Sequence, residues 1–139
     1  MNAIEVVQER TSPQHNPVIL VDQKKIAIVG SRRYPKLDQV RRFVRGLALG
    51  TVVVSGGADG VDEVAAEEAR AAGLVVVLFL PDYALHGRRA PLVRNDEIVA
   101  ACDGLVAFWD GESNGTRYAF TAASRAGKLI EVIRPPADA

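Results

Sequence analysis

Cysteine is almost absent from this chain of 139 residues, which contains a single one, Cys102. One cysteine excludes a disulfide within the chain and argues against a structural metal cluster, as is typical of a reducing compartment. Only two histidines are present, and His86 has no partner at metal-ligand spacing. We therefore predict no metal site, no required cofactor and a cytoplasmic location.

The chain also lacks an excess charge and a long apolar run. Its 17 basic and 17 acidic side chains cancel, so no global field draws it to nucleic acid or to an anionic membrane. No apolar run approaches the ~20 residues of a membrane helix, and the N-terminus lacks the features of an export signal. We expect one soluble domain without a membrane partner, in which nucleic-acid binding would need a local basic face.

What the chain does have is a regular alternation of short apolar runs and amphipathic segments. Near-continuous β-branched runs separated by helical patterns predict a parallel sheet covered on both faces. We predict a three-layer, doubly wound, Rossmann-like α/β domain over residues 25–134, with strand order 3-2-1-4-5. Residues 1–24 would be an appendage or edge strand, and residues 135–139 a tail. The five predicted strands lie in "KIAIVG", "TVVVSGG", "LVVVLFLP", "GLVAFW" and "KLIEVI".

In this topology a crevice opens at the carboxyl ends of strands one and four. Three glycine-bearing loops, "GSRRYP", "SGGADGVD" and "WDGESNGT", converge there, and we place the site among them. The candidate ligand-binding residues are Gly30, Ser31, Arg32, Ser55, Gly56, Gly57, Asp59, Asp62, Arg94, Asn95, Ser113, Gly115 and Thr116.

The second loop is richer in glycine than a strand-to-helix turn requires. Gly56 and Gly57 would let the backbone approach a ligand closely. Asp59 and Asp62 flank the start of the next helix, where they would either cap the helix or accept hydrogen bonds from ribose hydroxyls.

Arg94 and the start of the last helix are the predicted anion contacts. A guanidinium within the apolar pattern "LVRNDEIV" is costly unless it meets a carboxylate or a phosphate. Gly115 and Thr116 would offer an anion the positive end of a helix, whereas Ser113 is either a cap or a ligand contact. No Ser-His-Asp or Cys-His arrangement can be assembled, which disfavours nucleophilic hydrolysis.

Taken together, the three loop motifs resemble the SLOG superfamily of Rossmann-like domains, which includes LOG-type phosphoribohydrolases and DprA-like recombination mediators. The resemblance covers roughly residues 25–133 and is closest to the YspA/YpsA-related branch, because "GSR", "GGADGVD" and "WDGESNGT" occur in that order. It implies a homodimer or a higher homo-oligomer.

Comparison with the LOG pattern implies an incomplete hydrolase site. The family's arginine, aspartate and Gly-Thr pair fall on Arg94, Asp103, Gly115 and Thr116. Asn95 replaces the lysine, and Ala119 stands at the position of the glutamate, so no proton can be moved there. If the protein is an enzyme, its catalytic candidates are Arg94, Asp110 and Glu112.

We therefore predict a sensor or binding module for a small-molecule nucleotide or a phosphorylated sugar. One alternative is N-glycosidic hydrolysis of a nucleotide. A second is DprA-like binding of single-stranded nucleic acid through Arg88, Arg89 and Arg94, which the zero net charge does not favour. Such binding would use aromatic side chains near the loops, namely Tyr34, Tyr83, Trp109 and Tyr118.

Overall fold

The computed structural model describes residues 3–8 and 24–137, which form one six-stranded sheet flanked by helices. The strands are β1 (Ala3–Gln8), β2 (Lys25–Gly30), β3 (Val52–Ser55), β4 (Val75–Phe79), β5 (Gly104–Phe108) and β6 (Leu129–Ile133). The helices are α1 (Leu37–Arg45), α2 (Val61–Ala71), the short α3 (Tyr83–His86), α4 (Ala90–Ala101) and α5 (Asn114–Arg125). A 3-10 turn, Gly87–Arg89, joins α3 to α4.

The sheet order is β1-β4-β3-β2-β5-β6, and the five strands β2 to β6 pair in parallel. In the order of the predicted strands this is 3-2-1-4-5, so the doubly wound prediction is confirmed. The sheet has one strand more than the five predicted. β1 pairs antiparallel with β4 at the edge, and thus Ala3–Gln8 is an edge strand.

Two cores lie on opposite faces of the sheet because neighbouring residues of a strand point to opposite sides. Ile28 packs in the core beneath α1 and α2, with Val40 and Val61 from those helices. Its neighbour Ala27 packs in the core beneath α4 and α5, with Ile98 among its partners. Within residues 3–8 and 24–137, no helix has both the length and the apolar character to cross a membrane.

Tyr34 belongs to the first core and not to a ligand surface. Its side chain is 3% exposed, and its ring meets Phe108 edge to face with 5.6 Å between the centroids. The hydroxyl reaches the core boundary, where it donates a hydrogen bond to Gln39 Oε1 at 2.5 Å. The expectation that Tyr34 could stack on a base is therefore wrong, because the turn after β2 directs its ring inward.

Close packing at the end of β2 positions the loops of the crevice. A Cβ on Gly30 would lie 2.6 Å from Cβ of Val61, the first residue of α2. A Cβ on Gly60 would meet the Arg32 backbone at 2.6 Å, and the φ angle of Gly60 is +80°. The end of β2 and the loop after it thus contact the start of α2 directly, through the Val61 side chain and the Gly60 backbone.

We expect Gly30→Ala to destabilise the fold by ~1–3 kcal/mol, since overpacking forces the backbone to shift. Gly46→Ala is the matched control, because a Cβ there meets its nearest atom at an ordinary 3.5 Å. Urea denaturation of both variants measures the difference. Equal midpoints for the two variants would show that the packing of β2 against α2 tolerates a methyl group.

Candidate functional site

A cleft of about 360 Å³ opens at the carboxyl ends of β2, β3 and β5. It lies at the predicted switch point, where β2 is paired with both β3 and β5. Its lining residues are Val29, Gly30, Arg32, Arg33, Ala58, Asp62, Pro91, Arg94, Asn95, Ser113, Gly115, Thr116 and Ala119.

The cleft brings together most of the residues singled out from the sequence. The predicted residues in its lining are Gly30, Arg32, Asp62, Arg94, Asn95, Ser113, Gly115 and Thr116. A smaller adjoining cleft of about 190 Å³ contains Gly56, Gly57 and Asp59 and shares Arg32 and Arg94 with the first. Sequence reasoning missed Arg33, although its place beside Arg32 in "GSRRYP" was a usable signal.

Arg94 is buried within α4 and is held by the backbone of two strand ends. Its Nη1 donates to the carbonyl oxygens of Gly56 and, at 3.4 Å, of Phe79. Its Nε donates to Asn95 Oδ1 at 2.9 Å. Burial lowers the pKa of Arg94, and the nearby Asp62 carboxylate opposes this shift. A Cβ on Gly56 would lie 2.6 Å from Nη1, so the loop needs glycine beside the guanidinium.

Asp62 forms the acidic wall of the cleft and is 5% exposed. Burial raises the pKa of Asp62 from 3.8 to about 6, although the N–H of Ala58 and the charge of Arg94 act in the opposite direction. Oδ2 accepts from Ala58 N at 3.2 Å, whereas Oδ1 is buried and has no hydrogen-bond partner within the described part of the chain. Oδ1 is thus closed off from the cleft, and the N–H groups of Gly30 and Gly56 also act to lower the pKa of the carboxyl group.

Neither aspartate of the second loop caps α2, which begins after Gly60 without a side-chain cap. Asp62 lies in the first turn, where its carboxylate turns back to Ala58. Asp59 is exposed in the smaller cleft. The capping interpretation is thus wrong for both residues, because the backbone of Gly60 takes that position.

The loop between β5 and α5 is organised by its own polar groups. Asp110 Oδ1 accepts from the N–H of Glu112 at 2.8 Å and of Ser113 at 2.9 Å. Burial would raise the pKa of Asp110, but these two N–H groups, together with the Ser31 hydroxyl and the N–H of Asp110 itself, hold the pKa below its usual range. Neither Asp110 nor Glu112 lines the cleft. These two catalytic candidates therefore lie away from Arg94.

The start of α5 is capped by the chain itself. Ser113 Oγ accepts from Thr116 N at 3.2 Å and lies 3.0 Å from the Thr116 hydroxyl. The Thr116 N–H, predicted to hold an anion, thus already has an acceptor. Gly115 is exposed, and its carbonyl accepts from Asn95 Nδ2 at 3.3 Å.

Two buried serines tie the loops to one another. Ser31 Oγ accepts from Asp110 N at 3.1 Å, linking the loops after β2 and β5. Ser55 Oγ accepts from Gly57 N at 3.2 Å and donates to the Asp62 carbonyl at 3.4 Å. Both hydroxyls lie behind the cleft surface, so the geometry gives them a positioning role.

Trp109 and Asp103, two other residues of interest, lie outside the cleft. The Trp109 ring meets Phe120 with 5.1 Å between centroids, and the Arg134 guanidinium lies 5.1 Å from its centroid. Asp103 accepts from Lys25 N at 2.8 Å where β2 and β5 begin, at the opposite end of these strands from the cleft.

The cleft is electropositive although the whole chain is neutral. Among the described residues, its lining contains three arginines, Arg32, Arg33 and Arg94, and one carboxylate, Asp62. Arg32 and Arg33 are exposed and extend from the loop after β2. Ala119 lines the same cleft and contributes no acid. The arrangement suits an anion. Over residues 3–8 and 24–137, no three histidine, cysteine, aspartate or glutamate side chains come together as a metal site.

The sequence matches the family described as DNA recombination-mediator protein A over residues 16–87. That stretch contains the loops after β2 and β3, and hence Arg32, Arg33 and Asp62. The chain belongs to the DNA recombination-mediator protein A family. Within the SLOG superfamily the match is to the DprA-like side and gives no support to the YspA-related branch.

Two relatives illustrate the similarity. The Gene 61 protein of Mycobacterium phage D29 is 36% identical over 114 residues, which are 75% of this chain and 91% of that protein. A solved structure of DNA processing protein A from Helicobacter pylori, described as having a single-stranded DNA binding mode, matches with a TM-score of 0.61 and 25% identity. The match covers 78% of this chain and 64% of that one.

These findings correct the predicted partner. The sequence pointed to a small-molecule nucleotide and did not favour nucleic acid, but membership of the recombination-mediator family and the DNA-binding neighbour favour a nucleic-acid partner. The zero net charge misled because it averages over the whole surface. The fold instead collects three of the arginines in one cleft.

We expect Asp62→Asn to remove a pH-dependent contribution to stability. A raised pKa means that the folded protein favours the protonated acid, so this contribution is full below pH ~4 and is lost as pH rises through about 6. Relative to wild type, the variant should gain about 1–2 kcal/mol between pH 4.5 and 7.

Urea denaturation at several pH values measures this difference, and Asp59→Asn is the matched control because Asp59 is exposed nearby. Parallel stability curves for wild type and Asp62→Asn would contradict the raised pKa of Asp62.

Proposed function

We propose that this protein binds single-stranded DNA in the cleft at the carboxyl ends of β2, β3 and β5. The observation that carries the proposal is the set of three arginines around one buried carboxylate in the described part of the chain. It occurs in a chain of the recombination-mediator family, and the solved Helicobacter pylori neighbour is described as binding single-stranded DNA.

The arginines would have two different tasks. Arg32 and Arg33 are exposed and can turn toward successive phosphates, which supplies affinity and fixes the position of the strand. Arg94 is already engaged by two carbonyl oxygens, so it supplies a fixed positive charge at the cleft wall. Its rigidity keeps the two glycine loops in place when DNA enters.

Asp62 moderates the positive charge of the cleft from beneath its surface. The residue is 5% exposed and its Oδ1 is buried, so the carboxylate acts on Arg94 through its charge and makes no contact with DNA. Phosphate contacts through Arg32 and Arg33 would position the strand without reading its sequence.

The hydrolase alternative has no supporting observation among the described residues of the cleft. Ala119 lies in its lining, while the Asp110 carboxylate is used within its own loop. We therefore take binding as the function of this site.

The test is binding of a labelled 20-nucleotide oligo(dT), followed by fluorescence anisotropy at several salt concentrations. Replacing both Arg32 and Arg33 by alanine should weaken binding and reduce the salt slope by about 0.7 for each phosphate that is no longer neutralised. Arg42→Ala is the matched control, because Arg42 is exposed on α1, in the helix layer on the other face of the sheet from α4 and α5.

Duplex DNA and oligo(U) of the same length complete the comparison. Absence of oligo(dT) binding by the wild-type protein would overturn the proposal. Equal salt slopes for the wild type and all variants would show that DNA binds at another surface. Preference for oligo(U) would identify RNA as the partner.

A further inference from the structure

A second and larger groove, of about 570 Å³, lies on the outer surface of α4 and α5. It is separate from the cleft already described, since the lining residues of the two are all different. The groove is lined by Asp96, Asn114, Arg117, Tyr118, Thr121, Ala122 and Arg125.

Tyr118 is the central aromatic group of this groove. Its hydroxyl donates to the Asp96 carboxylate, at 3.0 Å to Oδ1 and 3.1 Å to Oδ2, so the ring is held between the two helices. The hydrogen bond to Asp96 raises the pKa of Tyr118, while the positive charges of Arg89 and Arg125 act against the shift. The ring is half-buried and retains a surface toward the groove.

The charges around Tyr118 are mainly positive. Arg117 and Arg125 are exposed in the groove, and Arg89 lies near enough to act on Tyr118. The carboxylate of Asp96, which also lines the groove, is engaged with the tyrosine hydroxyl. Arg117 and Arg125 are eight residues apart on α5, about 12 Å along the helix axis and on the same face.

The groove and the main cleft both use the first turn of α5. The first turn of α5 supplies Gly115 and Thr116 to the cleft, while Asn114 and Arg117 line the groove. Asn95, which bonds to Gly115, lines the cleft next to Asp96 of the groove. The first turn of α5 and the Asn95–Asp96 pair of α4 thus contribute residues to both.

We infer that a DNA strand leaving the main cleft continues along the α4–α5 groove, with a base stacked on Tyr118 and flanking phosphates on Arg117 and Arg125. This inference rests on the proposed function. An aromatic ring between cationic side chains is the combination that binds single strands without reading their sequence. Asp96 keeps the ring fixed and, by its charge, keeps phosphates on the arginine side.

Two oligonucleotide lengths separate this groove from the main cleft. The dinucleotide d(TT) is short enough to occupy the cleft alone, whereas a 20-nucleotide oligo(dT) can also reach the groove. We expect Tyr118→Ala to weaken binding of the long oligonucleotide about 5- to 150-fold, the range for removal of one stacking partner. Binding of the short oligonucleotide should change less than about twofold, because stacking on Tyr118 is not available to it.

Two further variants identify the cause. Tyr118→Phe keeps the ring and should bind the long oligonucleotide nearly as wild type does. Replacing Arg117 and Arg125 together by alanine should reduce the salt slope for the long oligonucleotide only. Arg42→Ala again serves as the control for removal of an exposed arginine.

The outcomes are distinct. If wild type binds neither oligonucleotide, the proposed function fails. If it binds both and the groove variants bind the long one as wild type does, the groove inference is wrong while the proposed function stands. If the groove variants change the molecular mass in solution measured by light scattering, with DNA binding unaltered, the groove inference is also wrong and the groove is an interface between copies of the chain.

Discussion

The buried guanidinium of Arg94 is the group on which the architecture of the crevice depends. It joins α4 to the carbonyl oxygens at the ends of β3 and β4, and a buried cation of this kind is tolerated only when its donors are satisfied. The guanidinium leaves no room for a side chain at Gly56, and it lies close to the Asp62 carboxylate. The Arg94 guanidinium therefore holds α4, the loop after β3 and the Asp62 carboxylate together.

Neutral overall charge and a positive binding surface are compatible because charge acts locally. Screening limits interactions between exposed charges to ~10 Å at moderate salt, so a DNA strand responds to the nearest arginines and not to the sum over the chain. Here the loop after β2, the helix α4 and the first turns of α5 bring arginines to neighbouring surfaces. Their distance along the chain hides this clustering in the composition.

Much of the fold could be predicted because its causes are local. Continuous β-branched runs and intervening amphipathic helices lead to a parallel sheet, and handedness limits the strand orders that remain. The crevice at the switch point and the importance of Arg94 followed from the same reasoning. Prediction was weaker where a side chain had two suitable environments. Tyr34 packs inward against Phe108, and Asp110 binds its own loop, since nearby backbone and core atoms offered partners that spacing does not reveal.

Residue types and their periodicity were enough to predict the order of the five parallel strands, and the residue at position 119 by itself shows the lack of a carboxylate there. They were not enough to establish which polar groups remain free, which depends on how the elements pack. Folding gives the Thr116 N–H and the Asp110 carboxylate partners within the chain, yet among the described residues it leaves one oxygen of Asp62 without one. Hydrogen bonding depends on distances between atoms far apart in sequence, and these exist only after the helices and strands have packed.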